Sequence, residues 1–519
     1  MNAERKLWHF HGGLHLPGHK ALSNAEPLDI APLPARLVHP VGQHIGSPSE
    51  PIVKVGETVL RGQPLTRATG YVCSPVHAAS SGTVVSIGPH PVPHPSGLEA
   101  ECIIIRTDGQ DRAYEGFPPL SNYQTLNAPA LRARVRECGI VGLGGAAFPT
   151  AVKLNAGVGM RLLILNGAEC EPFISCDDSL MRHRAVEIIA GAQIMLHALE
   201  IRHCCIAIEE DKPEAFDSLE AALKRAGDSR IQVTRVPAIY PEGGERQLIQ
   251  VLTGKQVPAA GIPADIGMLC HNVGTAAAVA RAVLYGEPLI SRVITVTGHG
   301  VACPRNLEVR LGTPMADVIE SCGGYTGEAR HLIMGGAMMG FSLSTDAVPV
   351  IKASNCLLVG STEDVKPRAQ SMPCIRCGEC AQVCPAQLLP QQLYWHARAD
   401  EFDKVESFHL FDCIECGCCD LVCPSQIPLT QYFRFAKTEI WARQRERRQS
   451  DVARERFENR KGRIELAEAE RKKRLEAKTR ALKKSGSSAA SKAVIDEVMA
   501  RVKAKEAAAA PQSGQEDAD

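Results

Sequence analysis

The sequence predicts a multidomain protein of the α/β plus β class that ends in a charged helical tail. The length of 519 residues allows three or four domains at about 150 residues each. Near residue 130, short β-like runs give way to strands that alternate with amphipathic helices. Nine of the 20 cysteines fall within 374–423, in a segment rich in Pro and Gly. We therefore expect five regions, at 1–125, 126–290, 291–350, 365–432 and 433–519.

The first region is predicted to be an all-β module. It resembles the barrel-sandwich fold of biotinyl and lipoyl carriers through residues 55–65, 74–75 and 81–84. Those carriers attach their cofactor to a Lys at the hairpin tip, but the stretch Arg67–Ser81 contains no Lys. The module is therefore expected to be structural. Its predicted strands are Ile52–Val55, Thr58–Leu60, Gly82–Ile87 and Cys102–Arg106.

The second region predicts a layered α/β domain with a largely parallel sheet, of the Rossmann-like kind. Its apolar runs Arg161–Leu165 and Cys204–Ile208 predict strands, and the helical periodicity of Ala185–Leu199 and Pro213–Ala226 predicts helices. The third region returns to β character and fits a small β-grasp unit. We expect strands at Val293–Gly298 and Leu307–Leu311 and a helix at Met315–Cys322.

Charge and hydropathy exclude several classes of protein. Lys plus Arg total 58 and Asp plus Glu total 58, so the chain as a whole offers no electrostatic basis for binding nucleic acid. No stretch approaches the roughly 18 apolar residues of a membrane-spanning helix. Met1–Lys20 lacks the apolar core of a secretory signal, which predicts a cytoplasmic protein.

The last region is strongly basic. Residues 441–484 contain 17 Lys or Arg and 8 Asp or Glu, and the composition favours helix. We expect an exposed helix over 430–484, a flexible break at Ser485–Ser491 and disorder from Ala507 onward.

The strongest motif is a repeated four-cysteine pattern followed by Pro. CxxCxxCxxxCP begins at Cys374 and recurs 39 residues later at Cys413. Such spacing is typical of two [4Fe–4S] clusters in a bacterial-type ferredoxin fold, in which the fourth Cys of each motif ligates the other cluster. A pair of zinc sites is the alternative, but zinc sites usually use two pairs of ligands and do not need this spacing. We expect Cys418 to be a bystander. The predicted ligands are Cys374, Cys377, Cys380 and Cys423 for cluster 1, and Cys413, Cys416, Cys419 and Cys384 for cluster 2.

A second motif is the glycine-rich loop 142–150, which precedes the predicted α/β sheet. Glycines let a backbone approach a phosphate or a flat ring. The loop is not the GxGxxG fingerprint, because Ala147 replaces the last Gly and no clear strand precedes it. Three polar segments accompany it, at 166–172, 240–248 and 271–275.

In this order, the loop and its three companions resemble the NADH-binding, FMN-carrying flavoprotein subunit of respiratory complex I. With Phe10–His15, the β module and the paired cysteine motifs, residues 5–440 resemble the C subunits of Rnf-type (also called Rsx-type) ion-translocating oxidoreductases. The complex I subunit ends in one cluster motif, whereas this chain has two, so its onward electron path must differ.

The resemblance implies a role for each residue of these segments. Gly142, Gly144, Gly145 and Lys153 would line a non-covalent FMN, with Asn166 and Glu169 on the flavin side. Asn272 and Thr275 would hold its phosphate. Phe148 would stack on the nicotinamide nucleotide, and Glu171 and Glu245 would shape the NADH pocket. The chain departs from the complex I pattern at Ala168, Phe173 and Gly274, and has one Glu where two adjacent ones are usual.

The leading functional interpretation is a peripheral redox subunit of an ion-translocating complex. It would pass electrons between NAD(H), FMN and two [4Fe–4S] clusters, at the cytoplasmic face of a bacterial inner membrane, to or from membrane partner subunits. Ferredoxin or flavodoxin would be indirect partners. The flavin would carry the hydride chemistry, so no protein acid or base is expected. Two alternatives stay open: a non-catalytic iron–sulfur wiring subunit without flavin, and a soluble dehydrogenase subunit with no membrane partner.

Overall fold

The computed structural model describes residues 6–157, 159–366, 369–484 and 489–508. The chain divides into two compact units, residues 1–437 and residues 438–519. Within the described ranges, none of the helices has both the length and the apolar character needed to cross a membrane.

The N-terminal module is a small antiparallel β structure around its own core. Leu37, Val59, Leu65, Ile103 and Ile105 are fully buried there. The predicted strand Ile52–Val55 is wrong: the backbone turns at this point, because Glu57 accepts a hydrogen bond from the Lys54 N–H. The sheet has the order β2-β7-β6-β4, and β3 pairs with β5. The elements are α1 (Ala21–Asn24), β1 (Asp29–Ile30), β2 (Arg36–Pro40), β3 (Glu50–Pro51), β4 (Thr58–Val59), β5 (Thr66–Arg67), β6 (Gly82–Pro91) and β7 (Glu99–Thr107).

The α/β domain contains a four-stranded sheet of order β10-β9-β8-β11, in which every neighbouring pair is parallel. Leu163 and Leu165 pack on one face with α4, α5 and α7, and Ile164 packs on the other with Leu248 of α6. Helices on both faces make this the predicted doubly wound architecture. The elements are α2 (Ala128–Glu137), α3 (Thr150–Lys153), β8 (Leu162–Gly167), α4 (Cys176–Leu199), β9 (Cys204–Glu209), α5 (Pro213–Ala226), β10 (Ile231–Val236), α6 (Glu245–Thr253), β11 (Met268–Asn272) and α7 (Val273–Ala280).

Helix α4 begins nine residues before the predicted start at Ala185. Its backbone leaves helical geometry at Arg184, so the predicted helix corresponds to the part after this kink. The additional turns are stabilised from a distance, because the Glu169 carboxylate accepts hydrogen bonds from the N–H groups of Asp177 and Asp178. A cap that comes from another segment leaves no periodic signal in the local sequence.

The β-grasp module forms a six-stranded mixed sheet of order β1-β13-β12-β16-β14-β15. Strand β1 comes from the N-terminal region and pairs in parallel with β13, so the sheet joins two distant parts of the chain. The elements are β12 (Ser291–Thr297), β13 (Arg305–Arg310), α8 (Met315–Ser321), β14 (His331–Met334), β15 (Phe341–Ser342) and β16 (Cys356–Gly360).

One buried lysine connects the three modules described so far. Lys352 lies between β15 and β16 of the β-grasp module. Its Nζ donates a hydrogen bond to the carbonyl of Pro75 at 2.8 Å and to that of Gly139 at 2.7 Å. Pro75 lies in the stretch Arg67–Ser81 of the N-terminal module, and Gly139 follows α2 in the α/β domain. Burial lowers the pKa of Lys352 to about 7. One end of the stretch that corresponds to the carrier hairpin is thus buried and held by a side chain, while Tyr71 in the same stretch is exposed.

The Cys-rich domain has short helices and no strands among its described residues, 369–437. It leads into a long helix that runs across the boundary between the two units. The flexible break predicted at 485–491 falls partly on 485–488, outside the described residues, while 489–491 begin a further helix. Of the residues predicted to be disordered, 509–519 also lie outside the described ranges. The elements are α9 (Glu379–Gln382), α10 (Pro390–Arg398), α11 (Phe402–Ser407), α12 (Cys418–Leu421), α13 (Leu429–Lys484) and α14 (Ala489–Ala508).

Candidate functional site

The parallel sheet has one topological switch point, between β8 and β11. The chain winds from β8 to β9 and β10 in one direction and then returns to place β11 on the other side of β8. Ligands of open α/β sheets bind at such a point, outside the carboxyl ends of the strands. Helices α4 and α7 both begin at this edge, and Asn272 Nδ2 donates to Asp177 Oδ2 across 2.6 Å between their first turns.

The glycine-rich loop closes over this edge. The Leu143 N–H donates to Thr275 Oγ1 at 3.0 Å, and a Cβ on Gly144 would lie 3.3 Å from the Asn272 Cβ. Gly145 has φ +111°, and within the described part of the chain no atom lies within 4 Å of the position its Cβ would take. The crest of the loop is therefore open backbone beside two helix N-termini. The structure brings together Gly142, Gly144, Gly145, Asn272 and Thr275 as the sequence predicts.

Lys153 and Glu245 form an ion pair at the end of β11. Lys153 Nζ lies 2.7 Å from Glu245 Oε1 and donates to the carbonyl of Cys270 at 2.8 Å. Both side chains are about one-third exposed, so the pair contributes little stability but remains accessible to a ligand. Phe148 is half-buried, and its carbonyl accepts the Gly142 N–H at 2.8 Å, which folds the loop back on itself.

Asn166 and Glu169 hold the loops around the switch point. Asn166 Nδ2 donates to the carbonyl of Gly243 at 2.8 Å, which ties the end of β8 to segment 240–248. The Glu169 carboxylate caps α4 as described above. Lys20 donates to the carbonyls of Glu169 and Ile174 at 2.6 and 2.7 Å. No sequence pattern indicates this role for Lys20, which comes from a distant N-terminal segment.

Glu171 is bound differently from its neighbours. Its Oε1 accepts the N–H groups of Met338 and Met339 at 2.6 and 2.9 Å, in the β-grasp loop that follows β14. Burial raises its pKa, while these two backbone donors oppose the shift. The carboxylate therefore joins the α/β domain to the β-grasp module, and its predicted place in the NADH pocket stays a prediction.

Two further residues reach the site. Desolvation and the adjacent carboxylate of Glu169 raise the pKa of Asp177 to about 7. Its carboxyl lies beside the first turn of α7, where it accepts a hydrogen bond from Asn272. The buried guanidinium of Arg292, from β12, donates to the carbonyl of Leu143 at 3.1 Å. The Asp pair in Cys176–Ser179 could have suggested a helix N-terminus, but nothing in the sequence relates Arg292 to the loop.

These features fit a flavin mononucleotide. The open crest at Gly145 offers a surface for a flat ring, and the N-terminus of α7 with the buried Arg292 near the loop suits a phosphate. His271 Nε2 is buried at the end of β11 with no hydrogen-bond partner among the described residues, as expected where a ligand supplies the partner.

The eight predicted cluster ligands form two groups. A cavity of about 480 Å³ is lined by Cys374, Cys377 and Cys380 of the first motif together with Cys423 of the second. A second, smaller cavity is lined by Cys413, Cys416 and Cys419 together with Cys384 of the first motif. Cys418 also lines this second cavity, next to two predicted ligands. Two groups of four thiols, each with one member from the other motif, suit two cubane clusters.

The two motifs also share their backbone path. Arg376 and Glu415 occupy the same place in each motif, with φ +59° and +56°, and Gly378 and Gly417 follow with φ +86° and +77°. A helix of one turn then begins in each, at Glu379 and at Cys418. The Cys-rich domain is therefore pseudo-symmetric, as two equivalent clusters require.

The two cysteine groups differ in their surroundings. In the first group Cys377 is exposed, and its three companions are half-buried around an open cavity. In the second, Cys384, Cys416 and Cys419 are buried. The buried group adjoins the α/β domain, because Tyr240 Oη donates to the carbonyl of Cys416 at 2.7 Å. The second group thus adjoins segment 240–248 of the α/β domain, and the first lies toward solvent.

Models of four protein families match successive parts of the chain. They are the RnfC barrel sandwich hybrid domain over residues 8–110, the Nuo51 FMN-binding domain over 135–281, the SLBB domain over 293–342 and the 4Fe-4S dicluster domain over 373–427. The predicted barrel-sandwich, Rossmann-like, β-grasp and ferredoxin architecture is confirmed. The chain thus carries an FMN-binding domain and a two-cluster iron–sulfur domain.

Similar curated proteins share one description, the C subunit of the ion-translocating oxidoreductase complex. The one from Pseudomonas aeruginosa is 49% identical over 464 residues, which cover 89% of this chain and 59% of that protein. The one from Serratia proteamaculans is 47% identical over 91% of this chain and 67% of its own length. The one from Vibrio cholerae is 46% identical over 96% and 64%.

The chain thus spans about three-fifths of the length of several of these relatives. A chain of a solved NAD⁺-reducing [NiFe]-hydrogenase in the H₂-reduced state aligns with 62% of this chain and 63% of its own at 20% identity, with a TM-score of 0.44. The identity to the curated proteins and the four matching domains agree, and this chain belongs to the family of C subunits of ion-translocating oxidoreductase complexes.

Proposed function

We propose that this chain is the peripheral redox subunit of an ion-translocating electron transport complex. It passes electrons between NAD(H), FMN at the switch-point site and two [4Fe–4S] clusters, and exchanges them with membrane-bound partner subunits at the cytoplasmic face. The curated relatives are named as subunits of such a complex. Ferredoxin or flavodoxin would then be reached indirectly, through the partner subunits.

One observation carries this proposal: a single loop contacts both candidate redox sites. Within residues 240–245, Glu245 pairs with Lys153 and the Gly243 carbonyl accepts from the Asn166 side chain, both at the switch point. Tyr240, at the other end of the same loop, binds the carbonyl of Cys416 in the second cysteine group. Electron transfer requires the two sites to be connected, and this loop connects them through hydrogen bonds and an ion pair.

In this proposal the protein side chains bind and orient the flavin and the nicotinamide nucleotide. Asn272, Thr275 and the first turn of α7 hold the phosphate end, and the crest at Gly145 supports the ring. Lys153 lines the flavin together with the glycine-rich loop, Glu171 and Glu245 shape the pocket for the nicotinamide nucleotide, and Phe148 stacks on that nucleotide. When bound, FMN supplies the conversion between a two-electron hydride and single electrons. The cluster at the buried cysteine group then exchanges electrons with the flavin, and the cluster at the solvent-facing group exchanges them with the partner subunits.

Asn272→Ala is expected to lower flavin content severalfold. The change removes the cap on α7, where Asn272 Oδ1 accepts the Gly274 N–H at 2.7 Å, and the bond to Asp177. Anaerobically purified protein would be assayed for released flavin and for NADH oxidation with an artificial acceptor. Activity should fall with flavin content and recover in part with added FMN.

Asn127→Ala is the matched control, because Asn127 caps α2 in the same way and accepts the Ala130 N–H at 3.0 Å. Both substitutions should cost about 1 kcal/mol of stability, but only Asn272→Ala should lose flavin. Wild-type protein that neither contains FMN nor takes it up would instead favour the wiring subunit, in which only the clusters function.

Removing residues after Ile440 is expected to leave membrane association intact when partner subunits are present. The helix beyond this point is exposed and basic, with 17 Lys or Arg against 8 Asp or Glu in 441–484. Basic residues near an anionic surface gain about 1 kcal/mol each, and molar salt screens this gain. Cells with and without partners would be fractionated at low and high salt. Full-length chain retained on partner-free membranes in molar salt would contradict attachment through partners.

A further inference from the structure

Tyr240 occupies a position between the two candidate redox sites that the proposed function leaves unexplained. Its side chain is 3% exposed. It packs in a small apolar cluster with Cys416 and Cys418, against which Leu14 and Met338 are placed. Water is therefore kept away from its hydroxyl group.

The hydroxyl of Tyr240 has a defined partner. Oη donates to the carbonyl oxygen of Cys416 at 2.7 Å, within the normal range for a strong O–H···O bond. The Glu171 carboxylate also interacts with the Tyr240 side chain. A buried hydrogen bond without competition from water orients both of its partners, so the peptide that carries the Cys416 thiol is held in one position.

The backbone of Tyr240 is fixed as firmly as its ring. Its N–H donates to the Leu14 carbonyl at 2.9 Å, and its carbonyl accepts the Leu14 N–H at 2.7 Å. The same N-terminal segment binds the Cys-rich domain, because the Gly13 N–H donates to the Val383 carbonyl at 3.0 Å and His11 Nδ1 lies 3.1 Å from the Cys384 carbonyl. Tyr240 thus contacts the Cys416 segment directly through its hydroxyl. Through the N-terminal segment His11–Leu14 it is also linked to the segment that contains Cys384.

We infer that Tyr240 is a positioning residue for electron transfer between the flavin site and cluster 2, and that its hydroxyl sets the reduction potential of that cluster. This inference rests on the proposed function. The O–H dipole points its positive end toward the Cys416 peptide, and hydrogen bonds and solvent exposure around a cluster are among the factors that set its potential. A donor in this place stabilises the reduced, more negative cluster.

Tyr240→Phe tests the inference, because it keeps the ring and removes only the hydroxyl. In the full-length protein with its clusters, an EPR-monitored chemical redox titration should show the potential of cluster 2 shifted downward and that of cluster 1 unchanged. In stopped-flow experiments, NADH should reduce cluster 2 severalfold more slowly, while iron and flavin contents stay at wild-type levels. Tyr123→Phe is the matched control: Tyr123 is also buried, in the core of the α/β domain, and should change neither potential.

The chemical titration needs neither NADH nor flavin, so it separates this inference from the proposed function. A protein without flavin can still show the shift, and a protein that oxidises NADH normally can fail to show it. Unchanged potentials in Tyr240→Phe would overturn the inference.

If the Phe variant loses iron, incorporation of 3-fluorotyrosine at position 240 provides a second test. It retains the hydroxyl as a stronger donor and should shift the potential of cluster 2 upward. Absence of that shift would likewise refute a role for the hydroxyl.

Discussion

Changing Cys374 and Cys384 together to Ser is expected to remove nearly all iron, although both belong to the first motif. Each lies in a different cavity, so each change deprives a different cluster of one ligand. Changing Cys374 and Cys423 together is expected to leave about four of about eight iron atoms, because these two thiols share one cavity. Iron and sulfide would be measured on anaerobically purified protein, with EPR to identify the remaining cluster.

If each cluster were ligated by one motif alone, the two double variants would give the opposite results. Comparing them therefore distinguishes crossed ligation from ligation within each motif. Cys303→Ser is one control, since Cys303 is exposed and outside both motifs. Cys418→Ser should also keep about eight iron atoms, as expected of a bystander. A loss of iron in Cys418→Ser would show that its place in the second cavity reflects ligation. Zinc in the wild-type protein would contradict the cluster assignment itself.

Gly191→Ala is expected to destabilise the α/β domain and to release flavin. Gly191 lies where α4 crosses α7, and an added Cβ would stand 1.9 Å from the carbonyl oxygen of Ala276. Helix α7 must therefore move away from α4. This movement displaces Thr275, whose hydroxyl accepts a hydrogen bond from the Leu143 N–H in the glycine-rich loop. Overpacking of this kind typically costs about 1–3 kcal/mol, or more where backbone blocks relaxation. Thermal unfolding and retained flavin would be measured together.

Gly462→Ala supplies the comparison, because it makes the same substitution inside α13 with no atom within 4 Å of the new Cβ in the described part of the chain. It should be neutral, or stabilising by up to about 1 kcal/mol from helix propensity alone. Equal melting temperatures and equal flavin contents for the two variants would mean that the α4–α7 contact is not tight.

Features that depend on local patterns could be predicted from the sequence. Helix Pro213–Ala226 has the predicted bounds, because Pro begins it, Gly227 follows it, and its apolar face is regular. The two cysteine motifs can be recognised from their spacing alone. The polar segments indicated the α/β site because their order resembles that of the complex I flavoprotein subunit. Strand 52–55 was predicted wrongly because a hydrogen bond to one side chain turned an apolar run.

What the sequence could not show depends on contacts between distant segments. The first turns of α4 need Glu169, the glycine-rich loop is held by Arg292 from another module, and Glu171 is bound by a loop 167 residues away. Tyr240 appeared only as part of a motif, and its bond to Cys416 spans 176 residues. Long-range hydrogen bonds leave no periodicity for a local pattern to reveal.

The buried amine of Lys352 holds the N-terminal module in a fixed position, unlike a mobile carrier domain. A carrier domain works by presenting its hairpin tip to one active centre after another, so it needs a free tip. Here the carbonyl of Pro75, at the buried end of the corresponding stretch, accepts a hydrogen bond from Lys352, which also binds the carbonyl of Gly139 in the segment leading into the glycine-rich loop. The module therefore fixes the position of the domains it contacts, and its stretch 67–81 is not free to move from one site to another.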